Sequence, residues 1–181
     1  MDAELERHLR EMIDRQAIWQ VMLNYARGLD RMDVELVRSC YFDDAVEDHG
    51  RFVGAPGDFI AWANEASSAF LSCLHTLSNH NCELDGDDAH CETYYIYTGI
   101  AAQAPHFMST GRYIDHFQRR NGEWRIANRV ISVESNLELQ EAAFAALLPP
   151  AYGPGEVEPS RRDRDDASYQ RPVRPRRPKS I

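Results

Sequence analysis

Apolar residues recur at helical spacing through the first thirty positions and at alternate positions after Leu74, and that change of period divides the chain. Leu5, Leu9, Met12 and Ile13 recur at helical spacing, and so do Ile18, Val21, Met22 and Tyr25, and Gly28 marks the end of the helix. Asp33 is placed to cap a second, short helix over 33–40. A segment over 45–49, a turn at Gly50-Arg51 and a short strand around Phe52-Val53 form a small hairpin. The loop Gly54-Ala55-Pro56-Gly57 then leads into a helix that starts at Asp58 and carries Phe59, Trp62, Ala66 and Phe70 on its apolar face. Beyond it, period-two patterning predicts strands over 74–84, 89–101, 108–119 and 124–134. Asp85-Gly86-Asp87-Asp88 and Asn121-Gly122 supply two of the turns. A last helix is predicted over 137–148.

Helices first and mostly antiparallel strands afterwards make an α+β plan, with a curved sheet wrapped against the helices. The sequence lacks alternating βαβ units and a Gly-rich phosphate loop, which disfavours dinucleotide and nucleoside triphosphate chemistry. Its 181 residues suit one domain with a sizeable core. A formal charge of −9 lacks the basic footprint of a nucleic-acid binder. No apolar run approaches the roughly 20 residues of a membrane span, so no membrane partner is expected. The acidic start Met1-Asp2-Ala3-Glu4-Leu5-Glu6 has no signal-peptide core, and a cytoplasmic location is the expectation.

The composition shifts after Pro149-Pro150. Residues 153–181 hold five prolines, seven arginines and one lysine against five acids, a net charge of +3. Such a segment cannot bury a core of its own. The expected division is therefore a cavity domain over 1–150 and a Pro/Arg-rich arm over 151–181, the arm either solvated or laid along a neighbouring subunit.

Candidate chemistry is narrower. Cys40, Cys73, Cys82 and Cys91 show no C-x-x-C spacing, and in a reducing compartment they read as packed thiols. Cys82 and Cys91 flank the Asp-Gly turn symmetrically and would face each other across a hairpin. The seven histidines (8, 49, 75, 80, 90, 106 and 116) form no strong metal-ligand spacing, so neither a metal nor another cofactor is expected. There is no G-x-S-x-G nucleophile elbow. Strict alternation puts His75, Leu77, Asn79, Asn81 and Glu83 on one strand face and His80 and Cys82 on the other. It likewise separates Arg112, Ile114 and His116 from Tyr113, Asp115 and Phe117, without saying which face turns inward. A face spotted with His and Asn suits a pocket in which a few polar groups orient a ligand. Tyr25 and Asp30 lie five apart at the end of the first helix, and His75 opens the first long strand. Each alone also fits a plain structural role.

Taken in order, several short segments change that reading. They are Arg15-Gln16-Ala17-Ile18, Tyr25-Ala26-Arg27-Gly28-Leu29-Asp30, His75-Thr76-Leu77-Ser78-Asn79, Asp85-Gly86-Asp87-Asp88-Ala89, Gly111-Arg112-Tyr113 and Arg120-Asn121-Gly122-Glu123-Trp124-Arg125-Ile126. With them the sequence resembles the SnoaL-like families of the nuclear transport factor 2-like fold, from Arg15 to Glu134. Within that fold it is similar to the branch that holds scytalone dehydratase, hexachlorocyclohexane dehydrochlorinase and bile-acid dehydratase. The resemblance implies a cone-shaped cavity and an Asp–His pair, here Asp30 and His75, with Tyr25 at the position of a third catalytic group. A tyrosine on the small hairpin of the bile-acid enzyme is replaced by His49.

The implied activity is a cofactor-independent lyase or isomerase for a hydrophobic aromatic, polyketide-like or steroid-like molecule. Breaking a carbon–carbon bond next to an aryl ring falls within the same class. His49, Asn79 and Arg112 would help bind the substrate, and Trp62, Phe70 and Tyr94 would wall the pocket. The branch also implies a homo-oligomer, a trimer ahead of a dimer. The alternative is a non-catalytic small subunit of a ring-hydroxylating dioxygenase, or a binding module on the same fold.

Overall fold

The computed structural model describes residues 2–140 and 160–173. The first helix, α1, runs Ala3–Asp30, with Asp2 accepting a hydrogen bond from the Glu4 amide at its start. The second, α2, is Val34–Ser39, capped by Asp33 as its sequence predicts, with Asp33 Oδ1 accepting from the Leu36 amide. The small hairpin pairs β1 (Tyr41–Asp48) with β2 (Val53–Gly54), and α3 follows over Pro56–Ser67. Four long strands follow: β3 (Phe70–Asp85), β4 (Asp88–Ala101), β5 (His106–Arg120) and β6 (Glu123–Leu139). Together the strands form one sheet in the order β2-β1-β6-β5-β4-β3. Among the described residues only the β1–β6 pairing is parallel. The sheet does not close on itself, and it wraps the helices as an α+β cone.

Several boundaries depart from the pattern-based expectation. Phe70 opens β3 instead of closing α3, because the backbone is already paired with Ala101 there. Leu137, predicted as helical, sits in β6 opposite Met108, where the long ladder of β5 continues to recruit backbone. The rest of the predicted last helix, from 141 to 148, lies outside the described residues, as does the domain boundary at 150. The two apolar sets of α1 lie on opposite sides of the helix: Ile18, Met22 and Tyr25 are buried, whereas Leu5, Leu9, Met12 and Ile13 are exposed.

The core forms between α1 and the inner face of the sheet. Ile18, Met22 and Tyr25 of α1, Val37 of α2 and Phe59 and Ile60 of α3 pack against Tyr95, Tyr113, Phe117, Trp124 and Ile126. Gly28 lets α1 and α2 cross closely: a Cβ there would stand 2.6 Å from Val37 Cγ2 and 3.0 Å from the Val37 amide nitrogen. Asp14 ties α1 to the β5–β6 hairpin by accepting from Trp124 Nε1 at 2.8 Å and from Arg119 Nη1 at 2.9 Å.

A buried ion pair sits in the middle of this core. Arg129 is 1 % exposed. Its guanidinium packs against the rings of Tyr25 and Tyr113, 4.1 and 4.3 Å from their centroids. It donates to both oxygens of the buried Asp115, at 2.6 and 2.9 Å. Burial works against the cation, but Asp115 together with the Tyr41 and Tyr25 hydroxyls outweighs it, and the Arg129 pKa is raised well above its ordinary value. Breaking such a buried pair from one side leaves a charge uncompensated, which costs about 3–5 kcal/mol. Asp115→Ala is therefore expected to destabilise the fold by about that amount in urea unfolding. The double variant Asp115→Ala/Arg129→Met should recover part of the loss, since it removes both charges.

Candidate functional site

The end of α1 brings Asp30 to the opening turn of the long sheet. Asp30 accepts from the ring Nδ1–H of His75 at 2.7 Å and from the His75 backbone amide, at 3.1 and 3.0 Å to its two oxygens. A carboxylate is an acceptor only, so the proton sits on Nδ1 and the Nε2 lone pair is left basic. Both side chains are nearly enclosed, His75 at 8 % and Asp30 at 9 % exposure. The His75 ring lies 4.8 Å from the ring of Tyr97, which Phe70 and Phe107 flank in turn.

Tyr25, on the same helix as Asp30, is fully buried. Its ring meets those of His75, Phe59, Tyr41 and Tyr113. Its hydroxyl has no hydrogen-bond partner among the described residues. Burial, and the Glu47 carboxylate after it, push this phenol far above its ordinary pKa, so it stays a proton donor. Burial does the same for Tyr97. It also pushes the Cys40 thiol up to about 12 and raises that of Cys73, so neither offers a thiolate near neutrality.

A second histidine–carboxylate pair borders the same aromatic cluster. His49 Nδ1 lies 2.8 Å from Glu47 Oε1, while Glu47 Oε2 accepts from the Tyr41 hydroxyl at 2.7 Å. Tyr41 Oη in turn lies 3.5 Å from Arg129 Nη1. The His49 ring packs on Phe59 and Trp62, 5.0 and 5.6 Å between centroids. Glu47 and Arg129 escape a reading of the sequence alone. The signal for Glu47 is its place two residues before His49 on the same strand face as Ala45. Arg129 carries no such signal, because a cation in a β-strand ordinarily faces water.

The structure thus gathers Tyr25, Asp30, His75 and His49, with Trp62 and Phe70 beside them. It does not bring Asn79, Tyr94 or Arg112 to them. A β-bulge between Leu77 and His80 inserts one residue into β3 and reverses its alternation there. Asn79 is left exposed in that bulge. Tyr94 and Arg112 lie on the outer face of the sheet, where Arg112 pairs with Glu134 at 2.9 Å and with Glu92 at 3.2 Å.

The arm, expected to be solvated or laid on a neighbour, docks on the body of its own domain where it is described. Arg162 donates to the Asp30 carbonyl at 3.2 Å, to the Ser67 carbonyl at 2.6 Å and to the Phe70 carbonyl at 3.3 Å. It therefore joins the last turns of α1 and α3 to the start of β3, satisfying carbonyls that a helix end leaves unpaired. Asp33 accepts from Arg164 at 2.8 Å and from the Tyr169 hydroxyl at 2.9 Å, while Arg27 stacks on the Tyr169 ring.

The family profile for the SnoaL-like domain matches residues 10–130. The protein belongs to this family. An uncharacterised protein of Mycobacterium tuberculosis is 27% identical over 128 residues, 66% of this chain and 85% of the relative. Among solved structures, the SnoaL-like protein superimposes on a hexachlorocyclohexane dehydrochlorinase of Novosphingobium barchaimii with a TM-score of 0.68 at 18% identity, covering 79% of this chain and 99% of the other. A protein of Novosphingobium aromaticivorans assigned as a scytalone dehydratase gives a TM-score of 0.65 at 17% identity, over 74% and 92%. A second protein of that organism, assigned as an aromatic ring hydroxylase, gives 0.64 at 21%, over 71% and 94%. At these identities the likeness is one of fold, the nuclear transport factor 2-like cone.

Two outcomes follow from the geometry of this SnoaL-like site. Tyr25→Phe removes a buried hydroxyl without a partner, so stability should stay within about 0.5 kcal/mol or rise by up to about 1 kcal/mol in urea unfolding. Arg162→Ala should leave global stability nearly unchanged and speed hydrogen exchange at the His75 amide at least several-fold, because the tie between α1 and β3 is lost.

Proposed function

We propose that this protein is a cofactor-independent lyase or isomerase acting on a hydrophobic aromatic, polyketide-like or steroid-like small molecule. The observation that carries this reading is the Asp30–His75 bond, which leaves one imidazole nitrogen basic beside an aromatic wall. His75 Nε2 takes a proton from the carbon next to the leaving group, and the electron pair of that C–H bond forms the new double bond. Asp30 holds the tautomer and stabilises the imidazolium, the part an acid plays beside a catalytic histidine. The leaving oxygen or halide departs with its bonding pair, and Tyr25 or His49 donates a proton or hydrogen bond to it. The same base also serves isomerisation, by returning the proton at a second carbon. It serves cleavage of a carbon–carbon bond next to an aryl ring as well, by deprotonating a hydroxyl. Trp62 and Phe70 serve as apolar contacts for the substrate.

The structural likeness to a dehydrochlorinase and to a protein assigned as a scytalone dehydratase supports elimination within this class. The likeness to a protein assigned as an aromatic ring hydroxylase supports a second reading, a binding or accessory subunit of a ring-hydroxylating system. Oxygen incorporation in a partner-dependent assay, with no turnover by the protein alone, would favour that reading. A cytoplasmic homo-oligomer, a trimer ahead of a dimer, completes the proposal, and light scattering checks its assembly.

The decisive assay offers the purified protein β-hydroxy aryl ketones and polychlorinated cyclohexanes and follows formation of the double bond. His75→Ala and Asp30→Asn should each lower turnover by about 10²–10⁴-fold with the far-ultraviolet spectrum intact; full activity in His75→Ala would end the proposal. Because burial moves the Tyr25 and Tyr97 phenols upward, the rate should show no fall from phenol ionisation up to about pH 10, the ordinary value for tyrosine. A decline centred below about pH 9 would count against Tyr25 as the donor.

A further inference from the structure

The bulge that exposes Asn79 also turns His80 inward, onto the same face as Cys82, whose partner across the β3–β4 ladder is Cys91. The imidazole and thiol donor atoms of these three residues all lie within 4.8 Å of one another. Both thiols are buried, Cys82 at 7 % and Cys91 at 3 % exposure. His80 Nδ1 is 2.8 Å from the hydroxyl of the fully buried Thr93. Its other nitrogen, Nε2, is buried with no hydrogen-bond partner among the described residues. The Trp19 ring packs 4.9 Å from the imidazole, and the Arg15 guanidinium reaches the Cys82 carbonyl. None of these groups takes part in the chemistry proposed for His75.

An enclosed imidazole nitrogen without a partner costs about 1–3 kcal/mol. A metal ion would use it. When Thr93 accepts from Nδ1–H, Nε2 carries the lone pair, which is how a second residue commonly orients a ligating histidine. Two thiolates and an imidazole form a soft donor set, suited to Zn²⁺ or Cu⁺ rather than to Mg²⁺ or Ca²⁺. Zinc bonds of about 2.3 Å to sulfur and 2.0–2.1 Å to nitrogen separate tetrahedral ligands by about 3.5–3.8 Å. The cluster therefore has to close by about 1 Å to reach that spacing, within reach of small cysteine rotations. Burial decides between the two ions, since Zn²⁺ with two thiolates is neutral whereas Cu⁺ leaves a net negative charge in a dry site. Among the described residues no fourth His, Cys, Asp or Glu joins the group, so a bound zinc would have three protein ligands.

We propose that His80, Cys82 and Cys91 form a zinc site that staples the β3–β4 hairpin beneath α1, apart from the Asp30–His75 pair. The donors come from two strands and one of them depends on a bulge, so no ligand spacing shows in the sequence.

The test uses the full-length protein, reduced and stripped of metal under nitrogen, titrated with Zn²⁺ against a chromogenic chelator and with Co²⁺ as a spectroscopic probe. The expected result is one Zn²⁺ per protein molecule, a thiolate-to-cobalt charge-transfer band, and a rise in the thermal midpoint on zinc addition. All three should be lost in Cys82→Ser/Cys91→Ser and in the milder Cys91→Ala. Thr93→Val, which touches no metal, should weaken zinc binding by about 10–100-fold. Zinc uptake equal in the wild type and the cysteine variants overturns the site, as does no uptake at micromolar Zn²⁺. Retention of Cu⁺ with no uptake of Zn²⁺ overturns the assignment to zinc. A Cys82–Cys91 disulfide in protein purified without reductant, joined to no zinc uptake after reduction, assigns the pair to redox chemistry and overturns the staple.

Discussion

A guanidinium in the middle of an aromatic core must be compensated from all sides, and much of this molecule is arranged around that requirement. Arg129 has Asp115 on two of its nitrogens, Met22 Sδ at 3.1 Å on one of them, and the rings of Tyr25 and Tyr113 on two adjoining sides. A buried ion pair gives little net stability against an apolar replacement of the same volume, because desolvation takes back most of the attraction. What it does supply is position. The tyrosine faces are oriented by the cation, and this holds the Tyr25 hydroxyl in a place where nothing else in the described fold satisfies it. The same guanidinium approaches Tyr41, whose hydroxyl donates to Glu47, whose other oxygen holds His49. A line of polar contacts therefore runs from β5 through β6 to β1 and ends on a histidine beside Phe59.

The elements were largely legible in the sequence because they rest on local physics. The helical spacing of α1, the Asp33 cap and the two glycine turns each state their conformation within a few residues. Asn121 and Gly122 both take positive φ, 54° and 83°, as a two-residue hairpin turn requires. Tyr25, Asp30 and His75 were legible by likeness to a family and not by pattern, since each alone suits a structural role. The orientation of strand faces was not legible. Alternation gives two faces without saying which is inward, so it does not show that Tyr94 and Arg112 face outward. One extra residue between Leu77 and His80 then moves Asn79 out and His80 in. The pairing of β3 with β4 sets that phase, and sequence spacing cannot.

The docking of the arm had no local signature either. Its prolines and arginines read as a solvated tail, because composition reports only that the segment has no core of its own. What it contributes is cations and one aromatic ring, placed against carbonyls and acids at the ends of α1, α2 and α3. Those partners are themselves leftovers of helix geometry, the unpaired carbonyls and capping acids that any short helix presents. Complementarity of this kind is spread over four elements and becomes visible only when they are assembled.

Helix, histidine and arm all meet at Asp30. A carboxylate at the C-terminal end of a 28-residue helix stands where the helix field is negative, an unfavourable placement by about 0.3–1 kcal/mol. Hydrogen bonds to a charged group contribute about 1.5–3 kcal/mol each, and Asp30 accepts them from both the backbone and the ring of His75. Those bonds outweigh the helix field. Arg162 places a cation on the carbonyl of the same residue and reduces the opposing field further. The anion is thus held by the histidine it orients, and by an arm 132 residues away in sequence. The His75 tautomer is thus set by Asp30 itself, and the arm relieves the helix end on which that carboxylate sits.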